Sequence, residues 1–502
     1  MNRASIAARV LAAGLGVGLL AELLVRGHAI GINLLLVTGA MLVAIAIVRP
    51  KGIRMDPLDV WLPVGALMFA AFPALRGDGP LVVIDSLVVL VLLGATVAAV
   101  AGAAVTRRSL LAGLELATWV AAAATVGTPQ AAQEVAAGWD RSSSVKRQAA
   151  RAAPVARGLF LGLPLVVVFA ILFSSADPIF GQWLEAALSP EVDISSLANR
   201  TVFAGAVAWV AAGLLWLVAS GRVLAEARSL GAAARLPTLS WPRLGPVEAL
   251  TVLIGLDVLF GAFAALQLGY LFGGLDTLAA SGLTYASYAR RGFFELLAVG
   301  FLSGAVIGGL EATVRERGPA YVGALVGLIG MTGIVLLSSF VRLRIYQEAY
   351  GWTELRFWVF ASIVFLALSF GAAAWLVLRG ASRWLPHAVA AAGVAVLVGI
   401  NAVGPQAFVT DRNLERALNP ALVAPDGEAT LDTVYLGRLD ADAVPALVAA
   451  LPALPEPAQS EVRRSLSVFG FELDLEASRG DWPAWNLSRE RARAALETLF
   501  RR

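Results

Sequence analysis

Long apolar runs separated by short polar loops make up most of this chain. A membrane-spanning helix needs about 20 mostly apolar residues. That ruler marks candidate spans at 5–25, 29–48, 58–75, 81–105, 109–127, 156–175, 201–220, 246–270, 293–313, 319–341, 356–378 and 385–403. The pattern predicts an all-α fold: a polytopic transmembrane helix bundle of eleven or twelve spans, followed by a small C-terminal helical extramembrane domain. The first run begins with Arg3 and Arg9 like a signal sequence, but no small-x-small cleavage site follows, so it reads as an uncleaved span. Glu115, Thr118 and Thr125 interrupt 109–127, which reads equally as a re-entrant or interfacial helix.

Four regions follow from the same pattern. Residues 1–127 form an amino-terminal helix set, and 128–155 a polar cytoplasmic linker with helical propensity. Residues 156–403 form the main bundle, and 404–502 a tail without long apolar runs. In the tail, Leu439–Leu451 (LDADAVPALVAAL) places aspartates ahead of an apolar stripe, the pattern of a capped amphipathic helix. Ser460–Phe469 and Asn486–Phe500 repeat it, the latter with Ser488 as a candidate N-cap.

Loop charge sets orientation, because cytoplasmic loops are enriched in arginine and lysine. Arg141, Lys146, Arg147 and Arg151, then Arg222, Arg228, Arg235 and Arg243, then Arg315 with Arg317 and Arg379 with Arg383 recur at two-span intervals. With those loops in the cytoplasm, the tail lies outside. Arg3, Arg9, the Arg49–Lys51–Arg54 loop, Arg107 and Arg108 prefer the cytoplasm too. That requires 109–127 not to cross, or else the amino terminus lies outside.

Composition sharpens this picture. Of 502 residues 58% are hydrophobic and only 15% charged, against roughly 25% charged in ordinary globular domains. The 39 cations nearly balance 36 anions, so the basic residues serve topology and not nucleic acid. The absence of cysteine removes disulfides and thiolate metal sites, and two histidines, His28 and His387, make a multi-histidine site improbable. Nearly all cations are arginine, which points to a G+C-rich bacterial genome and hence to a bacterial cytoplasmic (inner) membrane. The chain contains no phosphate loop, HExxH, GxSxG or GxGxxG after a strand. No catalytic residue, metal site or cofactor is assigned.

Charged groups inside spans are functional candidates because burying them in lipid costs about 2.5–3.5 kcal/mol or more. Asp257 stands near the middle of its run, with Gln267 further along the same run and Glu295 near the start of the next. A second constellation borders the spans. Arg290, Arg291, Arg342, Arg344 and Arg356 accompany Asp177, Glu354, Tyr346 and Tyr350 on the side predicted to be outer. Guanidinium forks suit carboxylate or phosphate, so an anionic lipid or cell-envelope precursor fits this rim. A belt of interface aromatics and interhelical ion pairs explains the same residues.

Several of these stretches carry a resemblance: SSADPIF (Ser174–Phe180), YLFGG (Tyr270–Gly274), YASYARRGFFEL (Tyr285–Leu296), RLRIYQEAYGWTELR (Arg342–Arg356), NLER (Asn413–Arg416), LDADAVPAL and WNLSRERAR. Together, over about residues 155–500, they resemble the bacterial membrane family called domain of unknown function 4173, related to the 4153 group. The resemblance implies a multi-spanning prokaryotic membrane protein with a polar tail, and no activity. Three roles stay open. One is a membrane scaffold or sensor presenting the tail to a protein partner. The second is a permease-like protein using Asp257, and the third an envelope-lipid enzyme with Asp177 or Glu348 as base.

Overall fold

The computed structural model describes residues 3–50, 54–108, 110–139, 194–220, 244–272, 293–314, 316–423, 431–478 and 481–500. Helices and short 3-10 turns are the only regular structure among them. The chain divides into two compact units: Met1–Leu75, Val82–Arg235 and Gly480–Asn486 form the first, and Arg76–Leu81, Leu236–Arg479 and Leu487–Arg502 the second. Among the described residues nine helices are long and apolar enough to cross a membrane.

The first unit contains α1 (Arg3–Leu24), α2 (Ile32–Val48), α3 (Trp61–Ala71), most of α4 (Gly79–Val100), α5 (Leu110–Trp139) and α6 (Ile194–Ser220). Small residues bring α1 and α6 together. A Cβ on Gly14 would lie 2.6 Å from that of Ala212, and one on Gly18 would lie 2.4 Å from the Ala204 carbonyl oxygen. Among lipid tails, such close backbone approach replaces the hydrophobic effect as the source of helix association. The Gly14–Gly18 pair, a weak motif by itself, thus marks a real contact. Gly127 and Gly213 do the same where α5 crosses α6.

The helix α5 continues through Pro129 to Trp139, so the first part of the 128–155 segment is helix; the remainder lies outside the described residues, as do the 156–175 run and Asp177. The 29–48 run is a helix of 17 residues, α2.

At one end of this unit the fully buried Asp59 carboxylate accepts from the N–H groups of Val105 (2.9 Å) and Thr106 (2.8 Å). Beside it Arg107 pairs with Asp56, whose carboxyl that guanidinium holds below its usual range. At the other end, His28 bonds Asp481, Ile32 N–H donates to the Trp485 carbonyl (3.0 Å), and the Asn486 amide donates to the Pro73 carbonyl (2.6 Å). The 481–486 segment is therefore seated on the face opposite Arg107.

The second unit contains α7 (Pro246–Phe272), α8 (Phe293–Thr313), α9 (Pro319–Tyr350), α10 (Glu354–Leu378), α11 (Leu385–Val403) and α12 (Pro405–Leu418). It ends in α13 (Thr433–Leu436), α14 (Val444–Ala450), α15 (Ala458–Ser478) and α16 (Leu487–Phe500). The helix α9 has 32 residues, about 48 Å at 1.5 Å per residue, well beyond a hydrocarbon core of about 30 Å. The sequence reading ended this span at 341; the helix runs on through 342–350, a stretch without glycine or proline, and stops at Gly351.

The bundle core joins Leu253, Ile307, Leu325, Leu328, Leu366 and Phe370. The tail has a core of its own, with Leu436, Leu447, Leu451, Val462, Leu466 and Leu496 around the buried Leu414 of α12.

Candidate functional site

Among the described residues of the second unit, a dense polar assembly is built largely from loops. Its centre is Arg76–Gly77–Asp78–Gly79, the turn leading into α4. Arg76 donates from Nε to the Asn401 carbonyl (2.7 Å) and from an Nη to that of Ala402 (2.6 Å), capping the carbonyl end of α11. A helix C-terminus leaves such carbonyls without intrahelical partners, and a cation there also meets the negative end of the dipole. Gly404 makes this possible. Its φ of +75° strains any other residue, and a Cβ would lie 2.6 Å from the guanidinium, which would have to shift.

The tail closes on this turn. Asp442 accepts from the N–H of Gly77 (2.9 Å) and the hydroxyl of Ser488 (2.7 Å), with Arg76 at 3.8 Å. Asp440 accepts from the N–H of Gly79 (3.3 Å), while its own N–H donates to the side-chain Oε1 of Gln406 (2.8 Å). The Gln406 amide donates to Glu354 (3.0 Å), and the Glu354 N–H donates to the Tyr435 hydroxyl (2.8 Å). Burial pushes the Tyr435 phenol up to about 12, so it stays protonated at neutral pH. The aspartates of LDADA therefore do not cap a helix as read from the sequence. The residue before α14 is Ala443, without a side-chain cap, and both carboxylates are committed to the turn. Ser488 likewise serves Asp442.

Asp78 is fully buried at the middle of this assembly. One oxygen accepts from the Leu81 N–H (3.0 Å), and the other finds no hydrogen-bond partner among the described residues. Burial pushes its carboxyl up from 3.8 to about 7 against the pull of the Leu81 bond; Glu354, Asp442 and Asp440 add to the rise.

A second knot lies at the α9–α10 turn. Gly351 has φ +74°, and Asn413 pairs with the Trp352 backbone in both directions, each bond 2.8 Å. Arg416 donates to the Ala349 carbonyl (2.7 Å). The motifs YGWTELR and NLER thus meet each other, and LDADA and the start of α16 meet the turn at Arg76.

The residues singled out from sequence fall differently. Arg290, Arg291 and Asp177 lie outside the described residues, as does the Gln267 side chain. Arg356 donates to the Tyr350 and Gly351 carbonyls and lies 4.2 Å over the Tyr346 ring. Arg344 and Glu348 form an exposed pair at 3.2 Å one turn apart, and Tyr350 stacks edge-on against Tyr346. Glu354 joins the clasp, Glu295 is exposed on the first turn of α8, and Arg342 is half-buried on α9. Asp257 on α7 faces Gly327 of α9, its carboxylate 3.7 Å from where a Cβ there would stand; its Oδ1 has no hydrogen-bond partner among the described residues. Sequence reading missed Arg76, Asp78, Gln406 and Tyr435, which sit in a loop and in short helices where polarity is ordinary, and Asn401, near the end of the apolar α11. The RGDG turn was the one available signal. No group of three or more metal-ligating side chains occurs among the described residues.

Long apolar helices in two units, with a polar tail folded on loop-built knots, define a multi-pass helical membrane protein. Residues 63–450 match the family described as a domain of unknown function, DUF4153, and the chain belongs to that family. Of the resemblance, the relation to the 4153 group is the part that the match bears out, and the match begins within α3, well before residue 155. No curated protein and no solved structure matches the chain.

Proposed function

We propose that this protein is a scaffold or sensor of the bacterial cytoplasmic membrane that holds a helical C-terminal domain at the outer surface for a protein partner. The observation that carries this reading is the tail itself: it packs a separate core and is clasped by backbone-directed bonds from Asp440 and Asp442. A tail held this rigidly is built to present a surface. On α15, Val468 (56% exposed), Phe471 (70%) and Leu475 (45%) lie along one helical face.

Each unit separately supports an outer tail. In the first, the 481–486 segment sits opposite Arg107 and Arg3. In the second, the knots at Gly351 and Gly404 lie at the helix ends opposite the turns carrying Arg317, Arg379 and Arg383. Under the positive-inside rule this arrangement supports an outer tail. The helix α5 begins three residues past Arg107, while its Glu134 lies 3.6 Å from Arg3 at the amino-terminal end of α1. Both ends facing the basic side favour a helix that does not cross, with the amino terminus inside.

The test uses the cysteine-free chain. Thr433 is buried against Glu461, so the reporter is Val434→Cys, 63% exposed. A membrane-impermeant thiol reagent is expected to label it in intact cells; protection until lysis overturns the outer tail. Phe471→Asp is expected to abolish the rescue of a deletion strain while the tail stays folded, and full rescue overturns the partner role.

A second reading, transport through the bundle, is favoured by Asp257 and its unpartnered oxygen opposite Gly327. Thiol labelling of Asp257→Cys from the aqueous phase would put that reading ahead.

A further inference from the structure

We infer that the turn at Asp78 is a proton-binding site that sets how tightly the tail is held, so that the clasp reports the acidity of the outer aqueous phase. This deepens the sensor reading above and rests on it.

The geometry is specific. Asp78 is enclosed, with one oxygen used by Leu81 N–H and the other lacking any hydrogen-bond partner among the described residues. A carboxylate cannot be buried with an unsatisfied oxygen without large cost, whereas the neutral acid carries the proton on that oxygen. Among the described residues the titratable groups that act on it are acids: Glu354 at the start of α10, and Asp440 and Asp442 ahead of α14. The nearby cation, Arg76, is directed to the α11 carbonyls and to Asp442. The two tail aspartates hold the turn by its Gly77 and Gly79 N–H groups, on either side of Asp78. Ionising Asp78 therefore adds a like charge between the residues that make the clasp. The proton enters from and returns to solvent, and no other reactant is required.

The sign follows from linkage. The docked value, about 7, exceeds the ordinary 3.8. Docking is therefore strongest below the released-state value. Its equilibrium constant falls about tenfold per pH unit as pH rises toward the docked value, then levels off above it.

The experiment places spin labels on Leu355→Cys and Val434→Cys, both exposed positions of the second unit, in the full chain in nanodiscs. Distances are read at about pH 5 and about pH 8. A narrow distribution at the lower pH that broadens at the higher supports the inference. With Asp78→Asn the distribution is expected to stay narrow at both. Identical wild-type distributions at the two pH values overturn the proton site and leave the scaffold standing; broadening that persists in Asp78→Asn overturns the assignment to Asp78. Arg76→Gln gives a weakened clasp that is expected to be broad at the higher pH and narrower at the lower. If it broadens without responding to pH, the proton site fails. If it stays narrow throughout, the clasp itself does not hold the tail, and the structural basis of the scaffold reading fails instead.

Discussion

Asp257 and Asp78, carboxylates that each have an oxygen without a hydrogen-bond partner among the described residues, occupy opposite kinds of site. Asp257 lies on a long apolar helix against Gly327 of α9. Asp78 lies in a four-residue turn onto which segments near residues 354, 406, 440 and 488 converge. Contrast with sequence neighbours exposes the first and conceals the second. A charge in a hydrophobic run is conspicuous, but the more elaborate polar construction belongs to residues whose neighbours in sequence are equally polar.

The comparison breaks most severely if Asp442 proves dispensable. Asp442→Ala leaves the Gly77 N–H and the Ser488 hydroxyl without this acceptor and removes the carboxylate beside Arg76, and removing one partner of a buried charged pair costs about 3–5 kcal/mol. A large drop in the melting temperature of the solubilised protein is expected, with Asp442→Asn recovering part of it. A loss no greater than that of Asp257→Asn would mean the clasp is ornamental.

Next in size is Gly404→Ala. Its positive φ and its contact with Arg76 predict a loss of about 1–3 kcal/mol, read by the same melting measurement. Asn413→Ala, which strips both bonds from Trp352, should cost about 1–3 kcal/mol and raise amide exchange at the α9–α10 turn. Unchanged exchange there would assign the turn's order to Gly351 alone.

Asp257→Asn sharpens the other side of the comparison. The scaffold reading expects it to be tolerated within about 0.5 kcal/mol and without loss of rescue; loss of rescue with intact stability would move the weight to transport. Arg344→Ala is the smallest case. Its pair with Glu348 is exposed on both sides, and removing it should change stability by about 0.3–0.5 kcal/mol. A tenfold loss of function with no stability change would return that rim to the functional candidates.

Much of the membrane architecture was legible because hydropathy acts over a window and ignores distant partners. Runs such as 201–220 and 356–378 became α6 and α10 with modest boundary shifts. The arginine rim was less legible. Arg356 was grouped with anion-binding candidates by proximity in sequence, yet its fork is directed to two backbone carbonyls at the end of α9. Nothing in one-dimensional spacing separates a guanidinium that caps a helix from one that awaits a ligand. The LDADA aspartates failed for a related reason. Asp before an apolar stripe is a valid capping pattern, but here the N–H groups of a distant turn claim the oxygens.

By itself the sequence determined the solvent of this protein and the helical state of its spans, because apolar runs of that length leave backbone groups no partners except their own helix. It also bore on which loops face the cytoplasm, through the arginines. The tertiary structure alone decided which loops meet. Hydrogen-bond partners separated by more than 300 residues, such as Arg76 with Asn401 and Gly77 with Asp442, are selected by the packing of whole helices. The same packing buried Asp78, a residue type common at surfaces, and raised its carboxyl to about 7.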